Sequence, residues 1–328
     1  MSTIPVTHGG VPVPANRQRA LLIEYSMPLA YAVLFAVLAA TVDNFFSVAN
    51  VVGLMLSVAQ IGMVACTMML CLASRDFDLS VGSTIAFAGV LGAMVLERTG
   101  SVTLAIGAGL GAGALIGAGN GVLIAYLRVN ALIATLATML MVRGLAFIAS
   151  QGQAVGINSD AFIAFGDTQV FGLPLPVLVA GACFLVFGVL LNHTVFGRNT
   201  LAIGGNPEAA RLAGVKVEKL RVWIFLLQGL VTALAGLILA SRITSGQPNA
   251  AQGFELDVIS ACVLGGVSLQ GGKARIFGVL IGVLIMGTVE NVMNLLNVDS
   301  FYQYLVRGSI LLAAVLLDQL KTRGERRT

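Results

Sequence analysis

Runs of about 20 apolar residues recur along most of the chain, and they constrain its fold more than any other feature. A helix of about 20 residues can cross the hydrocarbon core of a bilayer, where only helices and closed barrels satisfy their backbone polar groups. Charged residues make up only 10% of the sequence, whereas a soluble domain carries about 25%. The sequence therefore predicts an all-α polytopic membrane protein.

The apolar runs predict about ten transmembrane helices. The third and the eighth are short and interrupted by glycine, which is also typical of re-entrant or broken helices that protein covers. The predicted spans are 27–42, 51–73, 81–96, 102–127, 131–150, 176–191, 222–241, 258–269, 277–291 and 305–320. The domains that follow are an N-terminal tail (1–25), a membrane domain (26–320) containing a polar loop (192–221), and a basic C-terminal tail (321–328).

Basic residues are distributed unequally between alternate loops. The chain has 19 Lys and Arg residues. With the N-terminus inside, fifteen of them fall on inner segments, two on outer loops (Arg98 and Arg242) and two within spans. Because Lys and Arg are enriched on the cytoplasmic side of membrane proteins, both termini and the 192–221 loop are predicted to be cytoplasmic.

The sequence around Arg143 recurs near the C-terminus. Residues 142–145 read VRGL and residues 306–309 read VRGS, each within an apolar run. Duplicated halves are common in transporters. The recurrence therefore suggests an internal duplication.

The 192–221 loop contains a short amphipathic helix. Asn206 can act as its N-cap, Pro207 suits the first helical position and Glu208 lies near the positive helix end. Gly214 allows the chain to leave the helix with positive φ. A polar helix held between two membrane spans is available to contact another protein.

Polar side chains within apolar spans are costly in lipid and usually face a bundle interior. For Arg143, hydrogen bonding to a polar substrate along a pathway is one hypothesis, and hydrogen bonding to backbone carbonyls is the other. Glu290 and its neighbours could line a pathway or join helices, whereas lone amides are more typical of helix contacts. The candidate pathway-lining residues are Gln60, Asn120, Arg143, Glu290, Asn291 and Asn294.

The link between the second and third spans reads RDFDLS at 75–80. Asp78 and Ser80 are suited to cap the third helix, and Arg75 can pair with Asp76. This local interpretation requires no functional role for the link.

Nothing in the sequence predicts a catalytic, nucleotide or metal site in this chain. It has two histidines and lacks the GxxxxGK[ST] pattern of a phosphate-binding loop. The four cysteines fall in apolar runs with no metal-site or disulfide spacing, as expected of small packing residues. We therefore expect a non-catalytic chain that binds no cofactor or metal.

The spacing around Glu208 resembles the loop of permeases in ABC importers. The EAA sequence at 208–210 is followed after three residues by Gly214 and after nine more by Ile224, although Leu227 replaces the proline that ends the pattern. The resemblance implies a coupling helix that docks on a cytoplasmic ATPase. The candidate coupling residues are Gly197, Arg198, Gly204, Gly205, Asn206, Glu208, Ala209, Ala210 and Gly214.

Further segments resemble the ribose/xylose/arabinose permease family over nearly all of the chain beyond residue 25. They are FDLSVGS at 77–83, FGR at 196–198, AIGGN at 202–206 and CVLGGVSLQGG at 262–272. The chain departs from the family at Arg75, where glycine is usual, and in its first 25 residues.

The family resemblance implies a permease subunit that moves a monosaccharide across the bacterial inner membrane. L-arabinose is the first candidate, with ribose, xylose or another sugar of the family as alternatives. The implied partners are a second permease copy, a periplasmic sugar-binding protein, and a cytoplasmic ATPase with two domains that binds ATP and Mg²⁺. No nucleic-acid partner is expected.

Two other classes remain open from the residues alone. A secondary transporter driven by H⁺ or Na⁺ would usually need buried carboxylates along its path, and Glu290 is the candidate that fits. An intramembrane enzyme or a structural membrane subunit would lack the EAA–Gly spacing.

Overall fold

The computed structural model of the protein describes residues 17–325, and within them the chain is mainly helical. The predicted tails at 1–25 and 321–328 therefore lie partly outside the described residues. The helices are α1 (Arg17–Thr41), α2 (Val48–Ala73), α3 (Val81–Thr99), α4 (Val102–Ala125), α5 (Ala131–Ser150), α6 (Asp160–Asp167), α7 (Leu175–His193), α8 (Val195–Gly205), α9 (Pro207–Leu212), α10 (Val217–Arg242), α11 (Phe254–Leu264), α12 (Ile276–Leu295) and α13 (Ser300–Glu325).

Four two-residue strands form two small antiparallel ribbons between helices. The strands are β1 (Val155–Gly156), β2 (Gln169–Val170), β3 (Leu173–Pro174) and β4 (Ser245–Gly246). β1 pairs with β4, and β2 pairs with β3. The first ribbon joins the loop after α5 to the end of α10.

Seven of the described helices are long and apolar enough to cross a membrane, namely α2, α3, α4, α5, α7, α10 and α12. The third predicted span is therefore a continuous helix rather than a broken one. Two shorter apolar segments, Met27–Thr41 and Ser300–Leu316, match the first and last predicted spans. The eighth matches α11, whose 11 residues extend about 16 Å, roughly half the hydrocarbon thickness. The count of ten crossings and the internal duplication stay predictions.

α2 is the central helix of the bundle. Every residue from Ile61 to Ala73 is buried, and the helix contacts α7, α10, α11 and α12. A helix that is apolar on all sides is expected to be surrounded by others. A displacement of the end of α2 would therefore be transmitted to several neighbouring helices.

Glycines allow α4 and α10 to approach with their backbones in contact. A Cβ added at Gly117 would lie 3.1 Å from the Cα of Gly229 and 3.0 Å from the carbonyl carbon of Phe225. Small residues at such contacts are typical of transmembrane helix pairs. This contact places the start of α10 beside the end of α4.

Candidate functional site

The α8–α9 segment (195–214) confirms the short helix predicted in the polar loop. The Asn206 Oδ1 accepts hydrogen bonds from the backbone N–H groups of Glu208 and Ala209, at 3.0 and 3.1 Å. Pro207 is the first residue of α9, and Gly214 has a φ of 88°. The predicted cap, start and exit of the helix are therefore all present.

Ion pairs connect α9 to the start of α10. Arg211 donates from Nη1 to Glu208 at 2.7 Å and from Nη2 to Glu218 at 2.6 Å. The hydrogen bonds that Arg211 donates to Glu218 and Glu208 raise the pKa of Arg211 above its ordinary value. Glu208 stays 78% exposed in its side chain and Leu212 is 90% exposed, so α9 has a charged and an apolar group on the surface of the chain.

α8 rests directly on the end of α2. A Cβ added at Gly204 would overlap the carbonyl oxygen of Ala73, which already accepts a hydrogen bond from the Gly272 N–H at 2.9 Å. Gly205, the next residue, faces open space. The contact at Gly204 therefore joins the α8–α9 segment to the central helix and to the loop before α12.

A second connection joins α10 to the link between α2 and α3. The Nε of Arg221 lies 3.1 Å from Asp76 Oδ2, in an ion pair that does not have hydrogen-bond alignment. Ser74 Oγ donates to the same Asp76 oxygen at 3.3 Å. Burial raises the pKa of Asp76 to about 6, although Arg221 acts in the opposite direction. The prediction that Arg75 pairs with Asp76 was wrong, because Arg221 reaches the Asp76 carboxylate from α10 instead.

Asp78 begins a chain of buried hydrogen bonds that crosses three segments. Its Oδ1 accepts from the Ser80 N–H at 2.9 Å and from Ser80 Oγ at 2.6 Å. Asn120 of α4 donates to Ser80 Oγ at 3.0 Å and accepts from Thr138 of α5 at 2.7 Å. The expected Ser80 cap is absent from α3, because its hydroxyl takes part in this chain instead.

The other candidate pathway residues also have partners within the protein. Gln60 donates to the Ala235 carbonyl at 3.2 Å, and Asn291 donates to Asn50 at 2.9 Å. Asn294 accepts from Gln303 at 3.1 Å. These contacts join helices, and lining of a pathway by these side chains stays a prediction.

Arg143 holds the segment between β4 and α11 inside the bundle. Its Nη1 donates to the carbonyl oxygens of Pro248 and Ala250, at 2.8 and 2.7 Å. This geometry matches the backbone-bonding hypothesis for Arg143. The contact joins α5 to the segment that leads into α11. Whether α11 is a re-entrant element stays a prediction.

Glu290 belongs to a cluster of charges between α11, α12 and α13. Arg307 lies 3.3 Å from Asp257 and 3.6 Å from Glu290. Asp257 is 4% exposed, and its second carboxylate oxygen has no hydrogen-bond partner among the described residues. Sequence reasoning found Glu290 and missed Asp257, although the recurring VRG sequence contains the arginine that joins them.

Long apolar helices around a buried α2, with a capped polar helix exposed at one end, define a multi-pass membrane protein. The family model for the permease component of the branched-chain amino acid transport system matches residues 50–315. The chain belongs to this family of ABC-importer permeases, and it is a multi-pass protein of the bacterial inner membrane. No solved structure matches the chain.

Individual relatives match at close to full length. The chain is 55% identical over 326 residues to the L-arabinose transport system permease protein AraH of Escherichia coli (strain K12), covering 99% of each chain. It is 52% identical to the L-arabinose ABC transporter permease protein AraH of Azospirillum brasilense, covering 94% of this chain and 90% of that one. It is 41% identical to the ribose import permease protein RbsC of E. coli (strain K12), covering 92% and 96%. The family resemblance is confirmed.

Proposed function

We propose that the chain is the membrane-spanning subunit of an ATP-driven importer for L-arabinose. The observation that carries this proposal is 55% identity at full length to an L-arabinose permease, against 41% to a ribose permease. Ribose, xylose and other sugars of the family are the alternative substrates.

The proposed orientation places the basic end of the bundle in the cytoplasm. We define this end by the C-terminal ends of α2 and α4, the α8–α9 segment and the start of α10. It carries Arg128, Arg198, Arg211, Lys216 and Lys219, and cytoplasmic segments are enriched in such residues. Both termini are proposed to lie on this side, with ten crossings if the half-length α11 is counted.

The proposed assembly contains two copies of the permease, a periplasmic sugar-binding protein and a cytoplasmic ATPase that holds ATP and Mg²⁺. Glu208 and Leu212 are exposed on α9 and provide groups for docking on the ATPase. Movement of α9 would reach α2 through Gly204 and Ala73, and would reach the α2–α3 link through Arg221 and Asp76. These two contacts support a role for the α8–α9 segment in coupling.

Glu290 and Asp257 give the ion-coupled alternative its strongest support. Both carboxylates lie within the bundle, but they share Arg307. An arginine that holds both groups opposes their use as free proton carriers.

Transport assays on the complete system test the substrate and the energy source together. Labelled L-arabinose uptake by cells producing the permease, its ATPase and its binding protein should be inhibited more strongly by unlabelled arabinose than by ribose, xylose or galactose. Stronger inhibition by ribose, xylose or galactose would overturn the assignment of L-arabinose as the substrate. Uptake that persists without the ATPase and collapses with an uncoupler would favour the ion-coupled alternative.

Charge reversal at Glu208 tests the docking surface. Glu208→Lys is expected to abolish uptake and ATPase co-purification, while the unfolding temperature of the isolated permease changes little. The exposed side chain contributes about 1 kcal/mol or less through the helix end, and its ion pair with Arg211 is also exposed and contributes little. A large transport loss at an unchanged unfolding temperature would therefore reflect a lost docking contact. Glu97→Lys, at an exposed position at the end of α3, is the matched control. Wild-type uptake by Glu208→Lys at normal expression would contradict the assignment.

A further inference from the structure

A basic groove of about 540 Å³ lies at the basic end of the bundle, between the end of α4, the α4–α5 link, α9 and the start of α10. Four cationic side chains line it, and one carboxylate opposes them. The charged residues are Arg128, Arg211, Lys216, Lys219 and Glu218. The lining is therefore strongly positive.

Most of this charge is uncompensated within the protein. Arg211 is held by two carboxylates. Among the side chains that the structure describes (27–316 and 319), by contrast, Arg128, Lys216 and Lys219 form no ion pair within 4 Å, and all three are exposed. Arg128 acts on Glu218 only at longer range. Like charges gathered in one groove repel each other, so a bound anion would be stabilised there.

The first turn of α10 adds to the positive potential. α10 is 26 residues long, and Lys216 at its N-cap makes no side-chain capping bond. The N-terminus of a helix carries a partial positive charge that favours anions. In this groove the helix end and the three exposed cations act on the same space, and the first-turn carboxylate of Glu218 offsets part of their potential.

The rim of the groove has the composition of a membrane interface. Tyr126 lines the groove and is 53% exposed, while Trp223, one turn after Lys219 on α10, is 57% exposed. Val122, one turn before Tyr126 on α4, is also exposed. Trp and Tyr are enriched where the bilayer meets water. This composition is the one expected for a groove at the depth of the phospholipid headgroups, with apolar surface further along the same two helices.

We propose that this groove binds the phosphodiester headgroup of an anionic phospholipid of the cytoplasmic leaflet, which rests on the proposed orientation of the basic end. Basic pockets between transmembrane helices on that side bind anionic headgroups. The aromatic and apolar rim favours a lipid over an acidic segment of a soluble partner, because only the lipid has chains that need apolar surface. A bound headgroup would brace the corner between α9 and α10 through Arg211.

Lipid-dependent unfolding of the full-length permease in detergent tests the proposal. Added phosphatidylglycerol should raise the unfolding temperature of the wild type, whereas phosphatidylcholine and inorganic phosphate should not. In Lys216→Gln/Lys219→Gln the apparent affinity for phosphatidylglycerol should fall about tenfold or more, as expected for loss of two interfacial charges. The lipid-free unfolding temperature should stay unchanged or rise slightly, because both side chains are exposed and their removal reduces like-charge repulsion. Arg98→Gln at the opposite end is the control.

Three results would overturn the lipid proposal. One is an equal phosphatidylglycerol response in the wild type and the double variant. Another is an equal response to inorganic phosphate, which would assign the groove to free anions. The last is a double variant that loses ATPase co-purification but keeps its lipid response, which would assign the groove to the protein partner. Because the lipid-dependent unfolding measurement contains no sugar or ATPase, its outcome is distinguishable from failure of arabinose transport.

Discussion

Gly204→Ala is expected to abolish uptake and to lower the unfolding temperature of the permease. The added Cβ would overlap the carbonyl oxygen of Ala73 and lie 2.9 Å from its carbonyl carbon. This oxygen is backbone at the end of the fully buried part of α2 (61–73), so it has no rotamer change that could relieve the contact. Overpacking typically costs about 1–3 kcal/mol and occasionally more, and here it would also separate α8 from α2.

Two control variants make the Gly204 experiment specific. Gly205→Ala places the same methyl group one residue further on, in open space, and should leave the unfolding temperature unchanged or raise it. Gly119→Ala, on an exposed face of α4, should preserve both stability and uptake. Uptake and unfolding temperature are measured for all three variants at matched expression. Normal uptake by Gly204→Ala would show that the contact with α2 carries no coupling.

Arg307→Gln is expected to destabilise the permease by about 3–5 kcal/mol, the typical effect of removing one partner from a buried ion pair. The substitution would leave Asp257 and Glu290 facing each other without a cation between them. Asp257 is 4% exposed, and an isolated buried carboxylate has a high desolvation cost. We expect the contact between α11 and α13 to loosen first.

Neutralising Asp257, which loses its cation in Arg307→Gln, should restore much of the lost stability. Arg307→Gln combined with Asp257→Asn replaces the closer ion pair with two neutral amides, so its unfolding temperature should lie nearer to the wild type than that of Arg307→Gln alone. Thermal unfolding in detergent measures all the variants, with Arg98→Gln as the control. Equal unfolding temperatures for the wild type and Arg307→Gln would show that the cluster does not stabilise the bundle.

The short helix in the polar loop could be predicted almost residue by residue. Its cap joins Asn206 to the N–H groups two and three residues later, and its exit depends on the φ of Gly214. Such interactions are local, so they can be inferred from sequence spacing. The Arg211 pair with Glu218 was not predicted, because it depends on how the chain turns after Gly214.

The ion pairs of the buried sites could not be derived from spacing. Arg221 meets Asp76, and Arg307 meets Asp257, across segments that are far apart in the chain. In the sequence, Asp76 had a nearer cation in Arg75. Which cation is used depends on helix packing, which hydropathy does not specify.

The sequence by itself determined that this chain is a helical membrane protein with a capped polar helix between two spans. Hydropathy over about 20 residues and capping within one turn are short-range properties, so neither requires knowledge of the folded chain. Only the tertiary structure decided that Gly204 lies on Ala73, that Arg307 lies between two carboxylates, and that three exposed cations share one groove. These arrangements arise where helices distant in sequence pack together, because close packing fixes which polar groups can reach one another.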